Sequence, residues 1–382
     1  MQILLFGDLG YLVLLGISNP MNDITTDKDW KYCNNILQKV SRTFALNIAQ
    51  LEGDIFRAVL LGYLLFRIAD TFEDNICQDE EAKIRDLNDF SAVFKGDKDL
   101  RQRLELYESL KFRWQEKSYA KNLIENGHKA LKCYFDIPDT YRKIADPLIA
   151  EASEGMAEFQ ERKLHCKSEI YQPADIKEMV EYCYYVAGIV GIMLTEVFCM
   201  RESIEEKKTE LESFQIHFGI ALQLINIIKD YKKDIARGWC YIPSAITEKY
   251  GIKPGKIKSL SVQQEREIIN NMIPIIIIHL DSSLRYIKLL PLNERSIRMF
   301  CIIPFIIGCR TLVKIAQLEG NKISREEISF LLEASGRYAQ SNGDLEETYL
   351  KIREDCFINN RIPLSPDQLG LADFTDLPDL SE

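Results

Sequence analysis

Apolar residues recur at spacings of three and four along almost the whole chain, and that regularity limits it to an all-α fold. Segments of this kind run at about 29–50, 53–75, 99–133, 138–162, 173–199, 209–235, 262–289, 294–317 and 324–355. No Asn-Gly turn joins two alternating apolar–polar runs, so hairpin chemistry is missing. The breaks carry other turn signals: Asp136-Ile137-Pro138, Gln172-Pro173, Arg237-Gly238, Pro254-Gly255 and Pro291. No linker rich in glycine, serine or proline separates the segments. One continuous helical domain is expected over residues 21–362.

Two of these helices carry polar stripes on otherwise apolar surfaces. In the first, Tyr63, Arg67, Asp70 and Asp74 step by four, three and four. At 3.6 residues per turn they share one face, within an arc of roughly 60°. Glu73 lies on the flank, and Leu64, Leu65, Phe66 and Ile68 cover the rest. In the second, Gln223, Asn226, Asp230 and Asp234 share a face among Leu224, Ile225, Ile227 and Ile228. An Asp-x-x-x-Asp helix face is usually just solvated, but a solvated face would carry more lysine and glutamate around it. Carboxylates one turn apart repel, and more so when buried. No counter-charge other than a metal ion is evident. Mg²⁺ is the natural candidate, since it takes oxygen ligands and is held by one or two carboxylates plus water and phosphate oxygens. Two such helices face to face would hold several ions, bind a diphosphate and neutralise its charge as it leaves.

A third helix supplies a cavity wall. Tyr182, Val186, Ile189 and Met193 are expected on one face. Ala187, Gly188 and Gly191 form a small-residue face behind it, suited to close helix approach. The plain alternative is ordinary core packing. The functional one is a deep apolar slot with a phenol near its top, where aromatic faces can stabilise a carbocation.

Composition narrows the function further. The 382 residues carry a net charge of −10, which argues against a nucleic-acid partner. Ten cysteines and four histidines form no zinc-type spacing, and a reducing cytoplasmic protein without disulfides is expected. Residues 1–20 lack a basic leader and are interrupted by Asp8, so they read as a non-native or disordered extension ahead of a start at Met21. Residues 363–382 are acidic and expected to be disordered. No segment is expected to span a membrane: 299–317 contains Pro304, Arg310 and Lys314, and 182–195 is too short.

These motifs resemble the squalene/phytoene synthase family, and within it most closely squalene synthases of the bacterial type, over roughly residues 30–325. Ser-Arg-Thr-Phe-Ala-Leu at 41–46 resembles the opening family motif, and Asp-Thr-Phe-Glu-Asp at 70–74 the first aspartate-rich motif. Met-Ala-Glu-Phe at 156–159 and the glycine-bearing run at 182–191 resemble pocket walls. The run 226–234 resembles the second aspartate-rich motif, and 300–304 a late helix. The resemblance implies the isoprenoid-synthase helical bundle around a central cavity. It also implies condensation of two farnesyl diphosphates to presqualene diphosphate, then NADPH-dependent reduction to squalene. Asp70, Asp74, Asp230 and Asp234, with Asn226, would bind Mg²⁺. Arg42, Tyr63, Arg67, Gln223, Asn226 and Lys229 match substrate positions, and Tyr182 a catalytic tyrosine. Lys322 and Arg325 resemble a late basic segment near phosphate and cofactor.

Three positions depart from the squalene synthase pattern. Lys229 stands where arginine is usual and loses the bidentate fork, Asn75 replaces a final acid, and Phe305 replaces a polar residue. The segment 237–243 resembles carotenoid-pathway members, so a phytoene or dehydrosqualene synthase is the nearest alternative. A non-catalytic helical isoprenoid-binding protein is a second, and it would be expected to show damage in one acidic motif. An apolar product implies peripheral visits to a membrane.

Overall fold

The computed structural model describes residues 28–110, 118–258, 260–320 and 322–357, without the side chain of Arg42. The extension at 1–20, the Met21 start and the tail at 363–382 lie outside the described residues. The first half holds α1 (Lys28–Val40), α2 (Arg42–Ile48), α3 (Gly53–Glu73), α4 (Glu80–Phe94), α5 (Leu100–Ser109), α6 (Tyr119–Glu125), α7 (Gly127–Asp136) and α8 (Asp139–Leu164). The second holds α9 (Ile176–Cys183), α10 (Ile189–Phe198), the short α11 (Glu202–Glu205) and α12 (Lys208–Glu212), then α13 (Gln215–Ala236) and α14 (Ser244–Thr247). It closes with α15 (Val262–Leu289), α16 (Arg295–Ala316), α17 (Arg325–Tyr338) and α18 (Asn342–Phe357). Among the described residues the only β-pairing is a single parallel bridge between Tyr171 and Trp239.

Helix α8 packs along α3 and α4, while α13 packs against α10, α15 and α16, so α3 and α13 face the interior from opposite halves of the chain. The expected all-α bundle is present, but several helix boundaries differ from the periodicity. Helix α4 lies in a stretch for which no helix is expected. It buries Leu87, Phe90, Val93 and Phe94, but it also buries Lys83, Asp86 and Ser91, which blur its apolar stripe. Asp79 caps it by accepting from the Ala82 amide, and Asp86 is satisfied by the Gln78 amide at 2.7 Å.

The segment at 324–355 is two helices, because Ser341 caps α18 by accepting from the Asp344 amide. The joint is held by Arg298. Its guanidinium is wholly buried and donates to the carbonyls of Ile287, Leu290 and Ala339 and to Asn342 Oδ1. A buried cation is tolerated there because helix C-terminal carbonyls supply its hydrogen bonds.

The close approach expected of Gly191 is realised against α13. A Cβ at Gly191 would lie 1.9 Å from the Gln215 carbonyl oxygen, and one at Gly219 would lie 2.1 Å from that of Ala187. Between α9 and α10 the helix loosens into one π-helical turn, Tyr184–Gly188. An extra residue in that turn shifts the inward face by one position beyond it. Val190 therefore takes the place expected of Ile189, which packs fully into the core on another face.

Three helical stretches, Ile176–Phe198, Lys208–Ala236 and Arg295–Ala316, are long and apolar enough to cross a membrane by length and composition. This corrects the expectation of none: 182–195 is part of a longer rod formed by α9 and α10, and the stretch around 299–317 qualifies despite Pro304, Arg310 and Lys314. The bundle buries 89% of the most apolar 18-residue window of the last stretch, but only 56% and 44% of those windows in the first two. The other two owe part of their unburied apolar surface to the internal cavity described below, which Val190, Leu194, Phe218 and Leu222 line.

His217 on α13 and His279 on α15 meet Nδ1 to Nδ1 at 2.8 Å, so one ring donates and the other accepts. Burial pushes His217 down to about 4, and burial with its neighbour pushes His279 down to about 3. An unfolded histidine takes its proton near pH 6.5. Between that value and about pH 4 the unfolded chain binds more protons, so stability is present above pH 6.5 and is lost as pH falls. The pair is expected to account for a loss of about 2–4 kcal/mol between pH 7 and pH 5. Thermal midpoints of the wild type and His279→Gln at both pH values check this. Parallel profiles would show that the pair does not set the slope.

Candidate active site

The two polar stripes converge. Asp70, Glu73 and Asp74 at the end of α3 face Gln223, Asn226, Asp230, Lys233 and Asp234 of α13 across a cleft of about 600 Å³. Tyr182 and Val186 form its back wall, and Arg237 and Tyr241 close its side. Seven of the expected site residues thus line one cleft: Asp70, Asp74, Tyr182, Gln223, Asn226, Asp230 and Asp234. Tyr63 and Arg67 stand just inside, where Asp70 and Val186 are shared with a second cavity.

That second cavity is an apolar slot in two lobes of about 590 and 620 Å³, joined through Phe44, Val190, Leu194 and Phe300. Met156 and Met193 line the upper lobe, and Phe198, Phe218 and Tyr286 the lower one. The Tyr286 hydroxyl is tied to that of Thr195 at 3.0 Å, while Gln215 Oε1 in the same lobe is buried without a hydrogen-bond partner. Arg67 and Asp70, at the top, are the only charged residues among those lining either lobe.

Counter-charge in the cleft comes from the chain itself, contrary to the expectation that only metal would supply it. Arg67 pairs with Asp70. Arg237 donates through Nη1 to Asp74 at 3.0 Å and through Nη2 to Asp234 at 2.8 Å, joining the two motifs. Lys233 reaches Asp230 at 2.6 Å. Lys229 is buried beneath the cleft and bonds Asn226 Oδ1 at 2.6 Å and Asp230 at 3.2 Å. Arg237 was legible in principle, since it extends the stripe three residues past Asp234. As part of an Arg-Gly turn signal it did not read as a site residue.

Neutral polar groups mark the boundary between cleft and slot. Burial, and then the Asp74 and Asp70 carboxylates, push Glu73 up to about 8, so it holds a proton at neutral pH. Burial, and then Glu73, raise the Tyr182 phenol well above its usual range, and Tyr241 likewise. The two rings stack at 4.2 Å with planes 17° apart, and Trp239 stacks on Tyr241 at 5.4 Å. Tyr241 arrives there by a non-local route. Gly238 turns the chain at φ +81°, and the bridge to Tyr171 holds it.

The donor set fits Mg²⁺ without forming a closed cage. Among the described residues no three carboxylate, imidazole or thiol groups gather tightly enough to hold an ion alone. Four hard aspartate oxygens on facing helices do suit an ion completed by water and phosphate. Glu73 Oε1, Gln223 Oε1 and Asn226 Nδ2 are buried without hydrogen-bond partners, an arrangement that costs about 1–3 kcal/mol per group unless something else fills it. Asn226 presents its oxygen to Lys229, so a role as metal ligand requires that contact to open. Lys322 and Arg325 are not among the residues lining cleft or slot, and no step toward NADPH is assigned through them. The Arg42 side chain lies outside the described residues.

Residues 37–331 match the family model described as squalene/phytoene synthase. Squalene synthase 3 of Panax ginseng is 29% identical over 297 residues, covering 76% of this chain and 64% of that protein. Squalene synthase 1 of Arabidopsis thaliana is 28% identical over 302 residues, covering 78% and 67%. The chain thus spans less than two thirds of the ginseng relative's length. Among solved structures, the ligand complex of TcSQS with BPH1237 superposes with a TM-score of 0.70 at 20% identity, covering 92% of this chain and 97% of that one. A dehydrosqualene synthase complex gives 0.59 at 21% identity, covering 84% and 98%. With its motifs gathered at one cleft and most of its length matched, the chain belongs to the squalene/phytoene synthase family.

Proposed function

We propose that this chain condenses two farnesyl diphosphates head to head, with Mg²⁺ at the acidic cleft, to presqualene diphosphate. We further propose that it reduces this product to squalene with NADPH, as the names of its plant relatives suggest. The observation that carries the reading is the junction of an acidic cleft with a two-lobed apolar slot at Asp70 and Val186. A prenyl diphosphate has the same two-part chemistry, a multiply charged head on a long hydrocarbon. An apolar product suits a cytoplasmic enzyme working at the membrane surface.

Asp70, Asp74, Asp230 and Asp234 would hold Mg²⁺, joined by Asn226 once its amide leaves Lys229. The chemistry these residues would gain from bound Mg²⁺ is neutralisation of charge on the departing diphosphate. Arg67 and Lys233 lie beside these carboxylates and can donate to diphosphate oxygens. Tyr182, kept neutral by burial, is a hydrogen-bond donor rather than a base, and its ring faces the boundary where allylic cation character develops. Val186, Val190, Met193 and Leu194 exclude water that would otherwise capture that cation. The proton released on cyclopropane closure then goes to the departing diphosphate, the strongest base at the mouth.

Purified protein incubated with farnesyl diphosphate tests the reaction. Squalene with NADPH and presqualene diphosphate without it are expected. Dehydrosqualene in both arms would replace the reductive half of the reading, phytoene formed only when a C20 prenyl diphosphate is supplied instead would replace the substrate, and no hydrocarbon or presqualene diphosphate at all would overturn it. Asp70→Asn or Asp234→Asn should lower turnover about 100-fold or more with an unchanged helical circular-dichroism spectrum. Excess chelator should abolish activity, and full activity in its presence would remove the metal from the scheme. Tyr182→Phe and Tyr182→Leu separate hydroxyl from ring. Equal damage assigns the role to the hydroxyl, retained activity in the Phe variant assigns it to the ring, and normal turnover in both makes Tyr182 ordinary core.

A further inference from the structure

Among the described residues, Arg237 bonds a carboxylate of each acidic motif at once. It is the C-cap of α13, three residues beyond Asp234, and its amide donates to the Asp234 carbonyl at 2.9 Å. The backbone just beyond it is fixed. The Trp239 amide also donates to the Asp234 carbonyl, at 2.9 Å, while the Tyr171 amide donates to Gly238 and the Cys240 amide to Tyr171. The guanidinium, by contrast, is 41% exposed, and Asp74 is 36% exposed, so this end of the contact can release into solvent. Each Nη spends its hydrogen bond on a different helix, so one planar group spans the mouth that the proposed metal would enter.

An ion sharing these carboxylate oxygens would face a full positive charge only a few ångströms away, and both cations would compete for the same lone pairs. A diphosphate reverses the balance. It brings several negative charges, and its oxygens match the two-pronged fork of arginine better than two separated carboxylates do. Resting on the proposed Mg²⁺–diphosphate reading, we infer that Arg237 is an internal counter-ion that holds the two acidic motifs together and opposes metal binding until a diphosphate arrives. It then moves from Asp74 and Asp234 onto the diphosphate oxygens. Metal and diphosphate thus load together, and the empty cleft does not fill with metal alone.

Equilibrium dialysis of Mn²⁺ against the full chain tests this, with and without inorganic diphosphate on both sides of the membrane. The wild type should bind Mn²⁺ weakly alone and much more tightly with diphosphate. Arg237→Gln should bind Mn²⁺ about tenfold more tightly than the wild type without diphosphate, and gain less from adding it. Arg237→Lys keeps the charge but loses the fork, so its affinity alone should stay near wild type while its gain from diphosphate falls. Equal Mn²⁺ affinity of wild type and Arg237→Gln without diphosphate overturns the inference and leaves the proposed reaction standing. No Mn²⁺ binding to the wild type in either condition overturns the metal reading and this inference with it. Should Arg237→Gln melt below the assay temperature, the loss of diphosphate gain in Arg237→Lys decides the matter.

Discussion

Mutual repulsion among four aspartates on two facing helices is the constraint around which the rest of this molecule is arranged. Asp70 and Asp74 end one helix, and Asp230 and Asp234 lie near the end of another. Left alone they would push the two halves of the bundle apart. The chain offsets this with three kinds of contact. Arg67 and Lys233 neutralise along their own helices, Lys229 neutralises from beneath, and Arg237 neutralises across the gap. Only the last ties one half of the fold to the other. Local ion pairs on a helix contribute little individually, but a bridge between helices also fixes their separation.

That separation has a counterpart on the far face of α13, where backbone meets backbone at Gly191 and Gly219. No side chain fits between the two helices there, so α13 is held close to the wall that carries Tyr182. The π-helical turn lies in the same stretch of wall. It rotates the residues after Gly188 relative to those before it, so that Tyr182 meets the cleft while Val190 and Leu194 meet the slot. A regular helix would have carried one face straight through. The break lets a single rod serve a polar cleft at one end and an apolar slot at the other.

Much of this was legible from residue order. Both stripes and the small-residue face at Ala187–Gly191 follow from spacing alone, because side-chain position around a regular helix depends only on residue number; that the two stripes meet at one site followed only from the family resemblance. Three features were not legible for physical reasons. The π turn depends on backbone hydrogen-bond register, which apolar spacing does not encode, so Ile189 was assigned the place that Val190 holds. Helix α4 hides its stripe behind Lys83, Asp86 and Ser91, polar groups buried by a tertiary context that no local window contains. The Tyr182–Tyr241 stack joins residues brought together by a left-handed glycine and a single β-bridge. Arg237 was the avoidable miss, since it continues the spacing of its own stripe.

Charge falls in steps from the cleft to the slot. Aspartates and cations occupy the mouth, and the protonated Glu73 with the neutral phenols of Tyr182 and Tyr241 occupies the boundary. Below Arg67 and Asp70 the slot offers aliphatic, aromatic and sulfur surfaces and the amide of Gln215, without a charged group. In the proposed reaction this order matters more than any one residue. A carbocation formed at the boundary finds aromatic faces but no anionic side chain within the hydrocarbon slot. It is therefore shielded from premature capture where its chain is held. A proton lost from it must leave toward the mouth, where the departing diphosphate is the base. Deprotonating either tyrosine is opposed by burial, so the protein's own groups at the boundary steer by donating hydrogen bonds and by ring contact rather than by taking protons.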